Sequence, residues 1–256
     1  MINKNFYSLF FFELINIFNI YFFNSYALSF NLYDIYPNYI AESNTIKIIH
    51  KTYNSNNKTL CVFGVLENEN GKKIEEEMLE WLLPNYDLYI VYQKYPGKLY
   101  EYPALKFAQY IINKKNKTLL LYLHSKGAFF PNRDKDIQKV VRELWKYEYS
   151  GNNIKKYINP ILNNIADVTA MFVGNCCKAT WFNGFYISYR AFNIINLDKL
   201  LNTTRWKYEV LFNNTNASVL GIIENKIDDN IHDMARKYLE LIKKIKIDDL
   251  LKKNKF

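Results

Sequence analysis

Three short apolar runs decide the fold class: LCVFGVL at residues 60–66, DLYIVYQ at 87–93 and TLLLYL at 118–123. Apolar residues recur at helical spacing in the two segments between them, which are KKIEEEMLEWLL at 72–83 and residues 103–113. Strands that alternate with helices predict parallel strands joined by crossover helices, with helices on both faces of the sheet. The sequence therefore predicts an α/β fold with a mostly parallel, Rossmann-type sheet and flanking helices.

The rest of the chain continues this pattern and then changes character. Helices are predicted at 136–149 and 153–163, and strands at 168–173 and 184–189. After Gly221 a Lys-rich amphipathic helix is predicted, and we favour a packed terminal helix over one that lies on a membrane surface. Its apolar stripe consists of Ile231, Met234, Ala235, Tyr238, Leu239, Ile242 and Ile245.

The amino terminus is strongly apolar. Residues 6–30 carry a single charge, Glu13, over a length that could cross a bilayer, and Lys4 precedes them. A membrane anchor, a signal peptide that ends near Ala27 and a buried helix all fit. The first two place the protein at a membrane or in the secretory pathway, and the third places it in the cytoplasm. We expect an anchor or signal peptide at 1–30, a polar stem at 31–58, the main domain at 59–225 and the basic helix at 226–256.

Composition narrows the class of protein. Of the 256 residues, 49% are hydrophobic and 23% charged, which excludes a disordered, collagenous or disulfide-scaffold protein. The net charge of +9 suits a polyanion, an anionic lipid or a phosphorylated small molecule. The sequence has no RNP-type box, zinc-finger spacing or Arg-rich helix, so we expect no nucleic-acid partner.

The third apolar run ends in His124-Ser125-Lys126-Gly127. Ligands of open parallel sheets bind outside the carboxyl ends of the strands. Lys126 could supply a point charge to an anion there, Ser125 a hydrogen-bond donor and Gly127 a close backbone approach. The alternative is an ordinary turn with a solvated lysine and a histidine that caps a backbone group.

Three further features could take part in a site. Asp134 and Asp136 could hold Mg²⁺ or Mn²⁺ against a diphosphate, although aspartate at a helix start more often caps the helix. Residues 181–186 set a glycine among aromatic side chains, which suits either a stacked sugar ring or a packed core. Glu209, near Arg205, could deprotonate an acceptor hydroxyl or simply form a surface ion pair.

The order of these boxes resembles a known family. Tyr122-Leu123-His124-Ser125-Lys126-Gly127 comes first, followed by Arg142 and Trp145, then Asn183-Gly184-Phe185-Tyr186-Ile187 with Arg190, and finally Arg205 and Glu209. The set resembles glycosyltransferases with YLHTKG-type and GNFWW-type boxes. It is more distantly similar to rhamnan-synthesis-type glycosyltransferases. The similarity covers about residues 59–215 and is carried by the ordered set rather than by any single box.

The resemblance implies a GT-A-like fold and transfer of a sugar from a nucleotide-diphosphosugar donor to a hydroxyl of a glycan or glycoconjugate. It implies catalytic roles for Glu209 and His124, with Glu209 as the base. The implied diphosphate-binding residues are Lys126, Ser125, Gly127, Arg142, Arg190 and Arg205, and the implied sugar or acceptor pocket consists of Asn183, Gly184, Phe185 and Tyr186.

The usual GT-A metal motif is replaced by His-Ser-Lys, so Lys126 is expected to neutralise the diphosphate, and a divalent cation, Mn²⁺ or Mg²⁺, stays open as a cofactor. Two other functions also stay open: an inactive glycan- or partner-binding domain of the same fold, and a membrane-associated interaction protein.

Overall fold

The computed structural model describes residues 24–26, 35, 46–52, 58–94, 101–126, 128, 135–174, 178–200, 206–223 and 230–253. Within these ranges, one sheet contains strands β1 (Asn24–Tyr26), β2 (Ile46–Thr52), β3 (Thr59–Leu66), β4 (Tyr86–Gln93), β5 (Leu119–His124), β6 (Val168–Ala170), β7 (Phe185–Ser188) and β8 (Val219–Gly221). The helices are α1 (Glu69–Asn85), α2 (Tyr102–Lys114), α3 (Lys135–Glu148), α4 (Ile154–Leu162), α5 (Tyr189–Ile194), α6 (Trp206–Glu209) and α7 (Ile231–Lys253).

The strands lie in the order β1-β2-β4-β3-β5-β7-β6-β8. The central strands β4, β3 and β5 are parallel, whereas β2 runs antiparallel to β4 and β7 antiparallel to β5. The α/β class with flanking helices is confirmed, but the sheet is mixed rather than mostly parallel. The reason is that an apolar run marks a buried strand without encoding its direction.

The two crossover helices pack on opposite faces of the sheet. Residues of β3 alternate between the two cores: Phe63 belongs to the core that contains Met78 of α1, and Val62 to the core that contains Leu105 of α2. Helices α3 and α7 share the α1 face. From β3 the chain passes to β4 on one side, and it returns to β5 on the other. The strand order therefore reverses between β3 and β5, and open α/β sheets bind ligands at the carboxyl ends of strands where this reversal occurs.

The predicted stem at 31–58 is wrong over part of its length. Residues 46–52 form β2, which pairs with β4, and Ile35, Ile46 and Ile48 are buried in the core. Because β2 buries mainly alternate residues of a short and otherwise polar stretch, its pattern resembled a linker. Of the predicted anchor or signal at 1–30, the structure describes only 24–26, which pair with β2; the rest lies outside the described residues.

The first part of α7 packs on the α1 face of the sheet. Met234, Ala235, Leu239 and Ile242 are buried against α3 and its neighbours, whereas Ile245 is 45% exposed. In the described part of the chain, no helix combines the length and the apolar character that a membrane crossing requires.

Candidate active site

Ser125 joins the carboxyl ends of β3 and β5, the two strands between which the strand order reverses. Its backbone N–H donates to the carbonyl of Gly64 (2.7 Å), and its Oγ accepts from the backbone N–H of Leu66 (3.0 Å). Ser125 is buried. Its hydroxyl is therefore an acceptor that fixes the geometry of the turn, in addition to any donor role toward a ligand.

Lys126 is buried in this turn and is not a solvated lysine. Only 5% of the residue is exposed, and its Nζ lies 5.6 Å from the centroid of the Phe182 ring. Arg142 on α3 donates from Nη1 to the carbonyl of Lys126 (2.9 Å) and from Nε to Glu77 (3.0 Å). Arg142, which was predicted to bind the diphosphate, thus holds the backbone of the turn that carries Lys126.

Glu101 is a member of the site that the sequence reasoning missed. It is 8% exposed and lies at the amino end of α2, where its Oε1 is 3.8 Å from Nε2 of His124. Its Oε2 accepts a hydrogen bond from Nδ2 of Asn183 (2.8 Å). The available signal was a carboxylate just before Pro103, in the connection that follows β4 at the same edge of the sheet.

Asn183 and Gly184, two residues of the predicted pocket, reach the site from the opposite side. Because β7 is antiparallel to β5, the residues before Phe185 lie at the carboxyl end of β5. Phe182 and Asn183 both adopt left-handed backbone conformations, with φ of 69° and 50°. Such backbone is strained for residues other than glycine and is common at functional sites.

Trp145 links Gly184 to His124. A Cβ on Gly184 would lie 2.4 Å from Nε1 of Trp145, so only glycine leaves room for the indole. The same indole lies edge-on to His124, with ring centroids 6.0 Å apart. Trp145 is fully buried. The indole can therefore occupy its position beside His124 only because Gly184 has no side chain.

Phe185 and Tyr186 do not line a pocket, which corrects the prediction for both. Phe185 packs against Tyr122 and Phe212 in the core on the α2 face. Tyr186 lies in the other core, where its hydroxyl is hydrogen-bonded to that of Tyr86, and burial raises the pKa of both phenols. Their strand is interior to the sheet, so both of its faces are covered.

Arg190 is also misplaced by the prediction. The pairing of Leu119 with Ser188 sets it at the amino end of β5, on the edge of the sheet opposite Lys126. There Arg190 donates from Nε to Asp167 (2.7 Å). Burial raises the pKa of Asp167, but hydrogen bonds from Ser218 and Arg190 outweigh that effect and hold the pKa below its usual value.

Glu209 reaches the site through its backbone. Its carbonyl accepts from the N–H of Thr180 (2.9 Å), three residues before Asn183, and the residue is partly exposed on α6. The predicted residues Gly127, Asp134 and Arg205 lie outside the described residues. Asp136 is exposed at the start of α3, and the described ranges contain no group of three or more His, Cys, Asp or Glu that could hold a metal ion.

Several residues of the site and of the adjoining chain carry buried polar atoms. In the described part of the chain, Tyr122 Oη, Trp145 Nε1, Thr180 Oγ1 and Asn183 Oδ1 are buried without a hydrogen-bond partner. Burial and the nearby carboxylate of Glu101 both raise the pKa of Tyr122. Buried polar atoms are nearly always paired, so each of these four atoms is an unusual feature of a folded protein.

The site thus combines a buried cation, an imidazole and a buried carboxylate at the point where the strand order reverses. No match emerges when the chain is compared with protein-family models, with curated proteins or with solved structures. Any function assigned to the chain therefore depends on its boxes and on the geometry of this site.

Proposed function

We propose that the chain is a glycosyltransferase of GT-A-like fold that moves a sugar from a nucleotide-diphosphosugar donor to a hydroxyl of a glycan or glycoconjugate. The observation that carries the proposal is the buried Lys126 beside His124, at the carboxyl ends of the parallel strands β3 and β5. This is the position at which α/β sheets bind nucleotides and other phosphorylated ligands.

Lys126 would stabilise the leaving group. The acceptor oxygen attacks the anomeric carbon of the sugar while the bond from that carbon to the diphosphate oxygen breaks, and the electron pair leaves with the diphosphate. Negative charge therefore grows on the diphosphate in the transition state. A fixed cation held away from bulk water stabilises such charge more strongly than a solvated one. Arg142 contributes indirectly, since it holds the carbonyl of Lys126.

The proton of the acceptor hydroxyl must also be removed. Glu209 is the proposed base, because it is a partly exposed carboxylate whose backbone adjoins the turn that leads to Asn183. His124 is the proposed partner of Lys126 at the diphosphate. Replacing Glu209 with glutamine should abolish transfer while donor binding survives, since the variant removes the base and not the cation.

Release of nucleoside diphosphate tests the proposal directly. UDP-glucose, UDP-N-acetylglucosamine, GDP-mannose and dTDP-rhamnose would each be incubated with the full chain, with and without Mn²⁺, and the freed UDP, GDP or dTDP measured. We expect one donor to be turned over slowly with water as acceptor, and Lys126→Met to abolish that turnover. The proposal would be contradicted if none of the four donors bound to the chain and none was turned over.

A second candidate function is a glycan- or donor-binding domain without catalysis. The observation that favours it is the burial of Phe185 and Tyr186, which removes the predicted aromatic platform from the pocket. Saturable donor binding with no release of nucleoside diphosphate under any condition would support this second function.

A further inference from the structure

Glu101 changes the electrostatics of the site. A carboxylate beside a phosphate is repulsive, and a buried carboxylate is tolerated only where donors compensate it. Asn183 supplies one such donor at 2.8 Å, and the Nε2 of His124 lies 3.8 Å away. The side of His124 that faces Glu101 is therefore poorly suited to a diphosphate, even though Lys126 follows His124 by only two residues.

Three residues beside Glu101 or His124 carry buried polar atoms that offer both donors and acceptors. Asn183 Oδ1 accepts, Trp145 Nε1 donates and Tyr122 Oη does either, and all three are buried without a hydrogen-bond partner among the described residues. A fully ionised phosphate has no hydrogen to donate, so it acts only as a hydrogen-bond acceptor. A hydroxyl both donates and accepts, so adjacent hydroxyl groups match this mixture of atoms.

The two ends of the site adjoin one another. Lys126 Nζ lies over the ring of Phe182, and the next residue, Asn183, bonds to Glu101. A cation thus stands beside a cluster of neutral and acidic hydrogen-bonding groups. That arrangement is complementary to a molecule in which a phosphate is joined directly to an uncharged polyhydroxyl ring.

We propose that Glu101, Asn183 and Trp145 form a hydroxyl-binding subsite for the sugar ring of the donor, next to Lys126, which binds the diphosphate. The inference rests on the proposed function and adds to it a division of the site. Glu101 is a recognition residue in this scheme: it accepts a hydrogen bond from a sugar hydroxyl and repels an anion from the sugar end.

Paired titrations test this division of the site into a sugar end and a diphosphate end. Each of the four nucleotide sugars named above would be titrated calorimetrically into the full chain, alongside the matching UDP, GDP or dTDP. For the sugar that binds, Glu101→Gln should weaken affinity about tenfold or more, because a hydrogen bond to a charged group is lost. Affinity for the matching nucleoside diphosphate should not fall, because the variant removes a negative charge, and Lys126→Met should weaken both ligands.

Glu75 provides a matched control. It is a carboxylate of similar burial, 9% exposed, on α1, where it contacts Tyr92 and Lys51. Glu75→Gln should change neither affinity. If Glu101→Gln does not fold, as judged by circular dichroism, Trp145→Phe replaces it, since that change removes the indole N–H and keeps an aromatic ring. We expect Trp145→Phe to weaken the nucleotide sugar about threefold to tenfold, with the nucleoside diphosphate unaffected.

The outcomes separate the inference from the function. Equal weakening of both ligands by Glu101→Gln, or no weakening of either, would overturn the subsite while the glycosyltransferase proposal stands. Binding of no nucleotide sugar and no nucleoside diphosphate by the unaltered chain would overturn both.

Discussion

Gly184→Ala should destabilise the protein through a single clash. The added Cβ would lie 2.4 Å from Nε1, 2.6 Å from Cε2 and 2.8 Å from Cζ2 of Trp145. Non-bonded carbon atoms prefer separations of about 3.5–4.0 Å, so the indole would have to move by about 1 Å. It is fully buried and packs edge-on to His124, so the ring has no open space to enter. Overpacking of this kind costs about 3 kcal/mol of unfolding free energy, near the upper end of measured values.

Gly151→Ala is the matched control, because Gly151 needs only a left-handed backbone whereas Gly184 needs space for a neighbouring side chain. Gly151 has a φ of 55°, and a Cβ there would meet nothing within 4 Å. Its substitution should therefore cost only the left-handed conformation, about 1–2 kcal/mol. Urea denaturation followed by circular dichroism would measure both variants. If Gly184→Ala were as stable as Gly151→Ala or more stable, the described packing of Trp145 against Gly184 would be refuted.

Three other changes should have distinct effects on the unfolding free energy measured in urea. Ser125→Ala should cost about 2 kcal/mol, because the buried N–H of Leu66 loses its acceptor; a neutral result would show that water replaces the hydroxyl. Asp167→Asn should cost about 2 kcal/mol at pH 7. Folding lowers the pKa of Asp167, so the difference in unfolding free energy should persist at pH values above about 4, the pKa in the unfolded state. It should vanish as the pH falls through the pKa in the folded state, and a difference independent of pH would contradict this explanation. Tyr238→Phe should cost about 1.5 kcal/mol, since its hydroxyl donates to the buried Glu148 (2.7 Å), and an unchanged stability would show that this contact does not hold α7.

Local pattern was enough to predict the elements that build the site. Strands β3, β4 and β5 and helices α1 and α2 were found within a few residues of their ends, because each buries a face with a clear period. The location of Lys126 followed from the end of β5. That a cation at this point is buried over the ring of Phe182 could not be predicted, since the two residues meet only in the folded chain.

The errors have a common physical cause, which is that pattern encodes burial and not spatial neighbours. Arg190 was assigned to the wrong edge because the apolar run of β7 carries no direction. Phe185 and Tyr186 were assigned to a pocket, although an interior strand buries both of its faces. Glu101 was overlooked because its hydrogen-bond partner Asn183 is 82 residues away in the sequence.

Donor binding by a Lys126 variant tests the central claim most directly. Lys106 is the matched control, since it is another lysine of low exposure, 16% at the side chain, and bonds to Asp198 at 2.9 and 3.0 Å. We predict that Lys126→Met weakens the donor about tenfold or more by calorimetry, because a charged contact with the diphosphate is lost, whereas Lys106→Met leaves donor affinity unchanged. Equal donor affinity in the unaltered chain and both variants would contradict a diphosphate site at Lys126.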